Sequence, residues 1–281
     1  MITIFTPTYN RAHTLPRLYE SLKTQTSKNF EWLIVDDGST DSTEQLVREF
    51  SAEERFEIRY IKQENKGKHF AINHGLRLAK GEFFVNIDSD DYLVDHAIAE
   101  IEQLIPLVEE RKFAGFSFIH FADNIDFNAE EFGKKTWRKT QPYVWKHKGE
   151  MMFCIKTEIY RKFPFPEFDG EKFCPESLVL RRIEKNHPIL YTDKVLVRGE
   201  YLEDGLSAKF FRLLFANPHA TLLNYKERIE ETESENLKLQ LAKNYYDIAW
   251  KSKKTTLKEK FFNLPLSLTS KILLSKILGK K

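Results

Sequence analysis

The chain contains few cysteines and no long apolar run, and these absences exclude several classes of protein. Among 281 residues only Cys154 and Cys174 are cysteines, too few for a disulfide framework and without a Cys/His cluster at zinc spacing. No run of about 18 apolar residues occurs, so no membrane-spanning helix is predicted. The amino terminus, MITIFTPTYN, lacks the basic flank and the length of a signal peptide. We therefore expect a cytoplasmic protein, where cysteines stay reduced.

Glycine-rich nucleotide motifs are also absent. The sequence contains neither G-x-G-x-x-G, which a dehydrogenase would carry, nor the P-loop pattern G-x-x-x-x-G-K-[ST]. A nucleotidyltransferase would place a glycine-rich phosphate loop after its first strand, where residues 6–10 read TPTYN. The sequence therefore disfavours dehydrogenases, P-loop enzymes and nucleotidyltransferases.

The charge of the chain is unevenly distributed, although its composition is that of a globular protein, with 41% hydrophobic and 31% charged residues. Residues 251–281 hold nine lysines and one glutamate, a charge of +8, so the other residues carry −6 of the net +2. A basic tail on an acidic body indicates an anionic partner surface. The tail has no recognisable nucleic-acid motif, so we expect no nucleic-acid partner.

The first half of the chain alternates strand and helix patterns. Strands are predicted over residues 2–6, 32–35, 56–61 and 82–87, and helices over 15–24, 41–50, 69–79 and 95–108. This order predicts an α/β fold with a mostly parallel sheet covered by helices on both faces. Later patterns are weaker, with strands at 113–121 and 195–201 and a helix at 175–185. We expect one domain over residues 1–206 and a helical extension with a basic tail over 207–281.

Polar residues follow three of the predicted strands. They are TPTYN at 6–10, DDGS at 36–39 and DSDD at 88–91. Ligands of such sheets bind at the carboxyl ends of the strands, so these segments should meet at one crevice. Two acids at a strand end can hold Mg²⁺ or Mn²⁺ together with substrate phosphates. The alternative is a polar turn that closes the strand, and the convergence of three segments favours the ligand site.

A nucleoside diphosphate matches the chemistry of this crevice. Tyr9 can stack on a base, and Asp37 can accept a hydrogen bond from a base N–H. Asp88 can contact ribose hydroxyls or the metal, and Asp90 can bind the metal.

Two lysines, Lys66 and Lys68, precede a predicted helix whose amino terminus favours anions, and either could contact phosphate or base oxygens. Each assignment has a simpler alternative. Both lysines could be ordinary surface residues, Tyr9 could pack on the sheet, and Asp36 or Asp37 could cap its own loop.

These segments together resemble family 2 glycosyltransferases, inverting enzymes with the GT-A fold. The resemblance covers roughly residues 1–120, and its motifs occur in the order and spacing of the family. The motifs are TPTYNR at 6–11, Leu22 with Gln25 and Thr26, VDDGSTDST at 35–43, NKGK at 65–68, AKGE at 79–82 and DSDD at 88–91.

The resemblance implies a nucleotide-sugar donor, most often a UDP-sugar, and an Mn²⁺ or Mg²⁺ ion. It also implies a polysaccharide or lipid-linked oligosaccharide acceptor, with residues 1–120 as the donor-binding half and 121–206 as the acceptor-binding half. By motif position the nucleoside contacts are Pro7, Tyr9, Asp37 and Asp88, and Lys68 is the fifth candidate for a donor contact. The metal ligands are Asp90 and Asp88, with Asp91 as an alternative.

An inverting transfer also needs a general base that takes the proton of the acceptor hydroxyl. In the family this base belongs to a pair of acids near the start of a later helix, and the matching segment here is GEKFCPES at 170–177. Glu176 has the position of the base, and Pro175 replaces the preceding acid. The other candidates are Asp169, Glu171 and Asp204.

A non-catalytic nucleotide-sugar or glycan-binding module of the same fold is the alternative function. Loss of the carboxylates would favour it, but Asp88 and Asp90 are both present.

The tail over residues 257–281 combines leucines and phenylalanines with lysines, a composition typical of a helix at a membrane interface. Peripheral contact with an anionic membrane is therefore one interpretation, and packing on the catalytic domain or on a second subunit is the other. Residues Leu268 and Ile272 interrupt an apolar side formed by Leu266, Leu273, Leu274, Ile277 and Leu278.

Overall fold

The computed structural model describes residues 1–123, 136–138, 150–200 and 209–278. The strands in this part of the chain are β1 (Ile2–Thr8), β2 (Phe30–Asp36), β3 (Glu57–Lys62), β4 (Phe83–Asn86), β5 (Tyr92–Leu93), β6 (Gly115–Ala122), β7 (Thr136–Arg138), β8 (Glu150–Lys156) and β9 (Ile189–Gly199). The helices are α1 (Leu15–Lys23), α2 (Thr43–Ala52), α3 (Lys68–Leu78), α4 (Ala97–Glu110), α5 (Thr157–Tyr160), α6 (Glu176–Asn186), α7 (Phe210–Ala216), α8 (Pro218–Glu231), α9 (Glu235–Lys251), α10 (Leu257–Phe261) and α11 (Leu266–Leu278).

The chain forms two compact units. The first contains Met1–Phe165 and Val179–Glu203, and the second contains Pro166–Leu178 and Asp204–Lys281. A domain boundary at residue 206 stays a prediction. The second compact unit contains the extension that follows this boundary and also the earlier segment Pro166–Leu178.

One mixed sheet runs through the first unit in the order β3-β2-β1-β4-β8-β6-β9-β5, with β7 also paired to β9. The pairs β2–β3, β1–β2 and β1–β4 are parallel, as the alternating pattern of the first half predicts. Strand β8 then lies antiparallel between β4 and β6. No strand is predicted at β8, because its continuous apolar run, MMFCI, lacks the alternation of apolar and polar residues that marks a strand in a sequence.

Helices cover both faces of this sheet. On one face Ile4 and Trp32 join a core with apolar residues of α1, α2 and α4. On the other face α3 contacts β1 and β2. A Cβ atom at Gly75 of α3 would lie 2.1 Å from the ring of Phe5, so the absence of a side chain lets this helix lie directly on the sheet. The α/β layering predicted from the sequence is therefore confirmed.

A buried carboxylate links the strands at the opposite end from the predicted crevice. The Glu31 side chain is fully buried, and its Oε1 accepts hydrogen bonds from Thr3 Oγ1 and Lys80 N, both at 2.6 Å. Its Oε2 lies 2.8 Å from Arg59 Nη1. Burial opposes ionisation of Glu31, but these hydrogen bonds and the Arg59 charge outweigh it and hold the pKa below its ordinary value.

Glu31→Gln is expected to lower the free energy of unfolding by about 3 kcal/mol, because Arg59 loses its charge partner and an amide N–H faces other donors. Since the folded pKa of Glu31 is depressed, its contribution to stability is present above the unfolded pKa and is lost as the pH falls through the folded pKa.

Glu57→Gln is the matched control, because Glu57 lies opposite Glu31 on the neighbouring strand and its ion pair with Lys80 is exposed. It should cost less than about 1 kcal/mol. Urea unfolding at neutral pH measures the free energy of unfolding of both variants. Equal losses would contradict a stabilising role for the buried Glu31 carboxylate.

The second unit is helical, as predicted for the carboxyl-terminal extension. Helix α9 contacts α8, α10 and α11, and its Tyr245 and Tyr246 are fully buried in the shared apolar core. Helix α10 begins with a capping box between Thr256 and Glu259. Within the described ranges, no helix has the length and apolar content needed to cross a membrane.

Candidate functional site

The ends of β2, β1 and β4 lie side by side, because these strands are neighbours in the sheet. Beyond the strands, Asp37 N donates to Thr8 O and Ile87 N donates to Phe5 O, both at 2.8 Å. The three polar segments predicted to converge therefore do so at one edge of the sheet.

The loop after β1 is bound to the loop after β2. Asn10 has a positive φ of 53°, a conformation that asparagine tolerates better than most residues. Its Oδ1 accepts from Thr40 N and its N–H donates to Ser39 Oγ, both at 2.8 Å. These bonds hold the preceding residue, Tyr9, with 48% of its surface exposed at the rim of the crevice. Pro7, by contrast, is buried within β1.

Asp36 and Asp37 have different structural roles. Asp36 is fully buried and accepts hydrogen bonds from Ser39 N and from the hydroxyl of Tyr60, so it caps its own loop.

Asp37 orders the loop that leads into α3. Its Oδ1 accepts from Gln63 Nε2 at 2.8 Å and Lys66 N at 2.9 Å, and its Oδ2 accepts from Gly67 N at 2.7 Å. Gly67, the residue before α3, has a φ of 107°, which favours glycine. A carboxylate has about four acceptor positions, so Asp37 keeps acceptor capacity beyond these three bonds.

Of the two candidate lysines, Lys68 contacts the acidic segment. Its Nζ lies 2.7 Å from Asp88 Oδ1 and 2.8 Å from Oδ2, and both side chains are partly exposed. Lys66 instead forms an exposed ion pair with Glu64 at 3.5 Å. Two of the predicted donor contacts, Lys68 and Asp88, are thus brought together at the amino terminus of α3.

Asp90 lies next to this ion pair. Burial and the charge of Asp88 raise the pKa of Asp90 above its ordinary value. The positive groups of the protein therefore do not fully offset the negative charge of ionised Asp90.

Asp91 is held by a histidine from another strand. Its Oδ1 lies 3.0 Å from His120 Nε2 of β6, and burial, with the charges of Asp88 and Asp90, raises its pKa to about 6. A Cβ atom at Gly199 would lie 2.1 Å from Asp91 Oδ1 and 2.7 Å from His120 Nε2, so only glycine leaves room for this pair. The sequence contains no local signal for the arrangement, because its members lie on three separate segments.

Asp123 is a second contact that sequence reasoning missed. It follows β6 and accepts a hydrogen bond from the Tyr92 hydroxyl at 2.7 Å. It also forms ion pairs with Arg198 at 2.7 Å and Arg17 at 3.2 Å, and the Arg17 guanidinium lies 3.9 Å above the Tyr92 ring. The cluster therefore holds Tyr92, which directly follows the DSDD segment, in a defined position.

The residues that the structure describes include no group of three or more His, Cys, Asp or Glu side chains placed to hold a metal ion. A site for Mg²⁺ or Mn²⁺ does not require such a group, because one or two carboxylates commonly share the ion with substrate phosphates. Asp90 and Asp88 fit that donor set, since both supply oxygen and the two negative charges disfavour one another.

The candidates for the general base lie in the second unit or outside the described residues. Glu171 is buried and accepts hydrogen bonds from His219 N at 2.7 Å and Ala220 N at 3.0 Å, so it caps α8. Glu176 is the first residue of α6 and is half-buried. Asp169 is exposed, and Asp204 lies outside the described residues.

Two glycosyltransferases of Streptococcus pneumoniae are similar to parts of this chain. GlyG, a glycosyltransferase of Streptococcus pneumoniae serotype 4, is 28% identical over 196 residues, which is 64% of this chain and 64% of GlyG. GlyA of the same organism, also a glycosyltransferase, is 42% identical over 92 residues, which is 33% of this chain and 13% of GlyA. The chain thus covers less than two thirds of the length of these relatives.

Solved structures share the fold. TarS 1–349 of Staphylococcus aureus, in complex with UDP-GlcNAc, has a TM-score of 0.61 at 18% identity, over 98% of this chain and 84% of that one. The mannosyltransferase PcManGT of Pyrobaculum calidifontis, in complex with GDP-Man and Mn²⁺, has a TM-score of 0.57 at 17% identity, over 99% and 75%. The fold is therefore that of the GT-A glycosyltransferases. The family model described as Glycosyl transferase family 2 matches residues 3–168, more than half of the chain, and the chain belongs to this family.

Proposed function

We propose that the protein is a metal-dependent, inverting glycosyltransferase. It moves a sugar from a nucleotide-sugar donor, a UDP-sugar, to a glycan or lipid-linked acceptor. The observation that carries the proposal is the meeting of Lys68 and Asp88 beside Asp90, at the joined ends of three parallel strands. A crevice with a cation, a helix amino terminus and paired carboxylates has the groups that a metal–diphosphate needs.

Asp90 and Asp88 would hold the metal in this proposal. A bound Mg²⁺ or Mn²⁺ would stabilise the negative charge that develops on the leaving diphosphate. Asp91 is assigned a supporting role, because its carboxylate already contacts His120 and abuts Gly199. The Mn²⁺ in the PcManGT complex supports a divalent ion in this fold.

The chain itself would bind and orient the nucleoside. Tyr9, exposed at the crevice rim, provides a face for the base, and buried Pro7 shapes the floor of the same loop. Asp37 keeps the loop before α3 in place and has acceptor capacity for a base N–H. Lys68 pairs with Asp88 and would also meet phosphate or ribose oxygens of a bound donor.

The general base in this proposal is Glu176. Its support is its position in the family motif and the fact that its competitor Glu171 is committed to backbone N–H groups of α8. A first-turn carboxylate on a helix keeps a defined position, as a base that meets an acceptor hydroxyl must.

Calorimetric titration with UDP, GDP and ADP in the presence of Mn²⁺ tests the donor site. We expect UDP to bind tightest and Tyr9→Ala to weaken UDP about 5–100-fold, because stacking of a base on an aromatic ring contributes about 1–3 kcal/mol. The melting temperature should not change, since half of Tyr9 is exposed. Phe262→Ala, which removes an exposed aromatic side chain of the second unit, is the control for nucleotide selectivity. Equal affinity for the three nucleotides would contradict the base pocket.

A further inference from the structure

Exposed apolar side chains are concentrated in the second unit. In the described part of the chain ten large hydrophobic residues are exposed, and eight of them lie between residues 210 and 274. The remaining two, Met1 and Tyr9, lie in the first unit. A concentration of this kind marks an interaction site rather than the scatter of single apolar residues on an ordinary surface. The eight residues are Phe210, Phe211, Phe215, Leu257, Phe261, Phe262, Leu266 and Leu274.

Contacts within the unit bring the helices that carry these residues together. Lys254 Nζ, just before α10, donates to Ala216 O at the end of α7 at 3.0 Å. Lys251 Nζ lies 5.5 Å from the ring centre of Phe215. His219 Nδ1 of α8 lies 2.8 Å from Glu259 Oε1 of α10. The exposed residues of α7 and α10 therefore belong to neighbouring parts of one surface, with lysines between them.

Helix α11 packs on α9, as α10 does, and adds two exposed leucines. Its Leu268 and Ile272 are buried, and its Thr269 hydroxyl hydrogen-bonds to the Tyr246 hydroxyl of α9 at 2.6 Å. The two residues that interrupt the apolar side in the sequence are therefore the ones that pack inward. Leu266 and Leu274 lie on the outer side and are exposed by 72% and 56%. The side chains of Ile277 and Leu278 lie outside the described part.

The charge of the region identifies the kind of partner. Residues 251–281 contain nine lysines, and their single acid, Glu259, is engaged with Thr256 N and His219. On α9, Asp247 pairs with Lys251 at 2.8 Å and Glu235 lies near Lys271, so the lysines still outnumber the acids around them. A second copy of the chain, docked through the same surface about a twofold axis, would place these like charges against each other. An anionic lipid surface satisfies both features, because its headgroups attract lysines and its acyl boundary accepts leucine and phenylalanine.

We propose that the surface formed by α7, α10 and α11 binds the interface of an anionic lipid bilayer. We call it the apolar–basic surface, and it consists of the eight exposed residues above with Lys251, Lys253, Lys254, Lys258 and Lys271. The helices lie along the bilayer and insert their apolar side chains at headgroup depth. This property goes beyond glycosyl transfer, since it concerns where the enzyme meets its acceptor and not how it binds donor.

Flotation of the full chain with vesicles tests the proposal. Vesicles of phosphatidylcholine alone are compared with vesicles in which about one third of the lipid is phosphatidylglycerol, at low and high salt. We expect binding to the anionic vesicles that high salt releases. The variant Lys253→Glu/Lys258→Glu/Lys271→Glu should lower partitioning by about 100-fold or more, since each lysine near an anionic surface contributes about a fivefold factor. The variant Phe211→Ser/Leu257→Ser/Phe262→Ser should lower it at least about tenfold.

The matched control is Lys112→Glu/Lys162→Glu/Lys185→Glu, which changes net charge equally at exposed lysines of the first unit. It should retain most of the vesicle binding. Equal losses in both lysine variants, or a wild type that ignores anionic vesicles at low salt, would overturn the proposal. A dimer in light scattering that the serine variant dissociates, without vesicle binding, would assign the surface to a second copy instead. Donor titration should be unchanged in all variants, which separates this proposal from the donor site.

Discussion

Asp90→Asn is expected to lower the transfer rate by about 10²–10³-fold, because metal stabilisation of the leaving diphosphate is worth several kcal/mol. EDTA should inhibit the wild type, and Mn²⁺ or Mg²⁺ should restore it. The fold should survive, since burial and the charge of Asp88 make ionised Asp90 unfavourable in the folded state. The melting temperature of Asp90→Asn should therefore equal or exceed that of the wild type.

Asp193→Asn is the matched control for this substitution. It also replaces a carboxylate by an amide, but at an exposed aspartate of β9. It should keep full activity. Rates are measured as release of nucleoside diphosphate with excess metal and with chelator. Full activity of the wild type in chelator would rule out the metal-dependent mechanism.

Glu176→Gln is expected to lower the transfer rate by about 10²–10⁴-fold while donor affinity stays close to normal. The substitution keeps the shape of the side chain but removes its ability to take a proton from the acceptor hydroxyl. Single-turnover rates with saturating donor, together with donor titration, separate the loss of chemistry from a loss of binding.

Two competing acids provide the comparison for Glu176. Glu171→Gln should mainly lower stability, by about 1–2 kcal/mol, because Glu171 accepts the first N–H groups of α8. Asp169→Asn should change neither property, since Asp169 is exposed. Normal turnover in Glu176→Gln would move the base to Glu171, Asp169 or Asp204.

The first four strands and the first four helices were predictable because their signals are local. Strands β1, β2 and β4 each end in polar residues, and parallel strands place such ends at one edge of a sheet. Strand β8 was not predicted because its apolar run has no alternation of apolar and polar residues, and its antiparallel insertion depends on pairing with β4 and β6. Pro218 begins α8 and Pro265 directly precedes α11, positions at which the missing N–H of proline leaves no helical hydrogen bond unmade.

The partners of the site residues depended on contacts between distant segments. The sequence offered both Lys66 and Lys68 as contacts for an anion, and the start of α3 directly after Gly67 places Lys68 against Asp88. It gave no indication that Gly199 makes room for Asp91 and His120.

The sequence by itself determined the order of the main strands and helices, the polar ends of the strands and the charge of the tail. Each of these properties depends only on residues that are close together in the chain. Tertiary structure alone decided which acids are already bound and which side of α11 is exposed, where Leu268 packs inward and Leu274 faces out. Both depend on packing between segments far apart in the chain, which the periodicity of one segment does not encode.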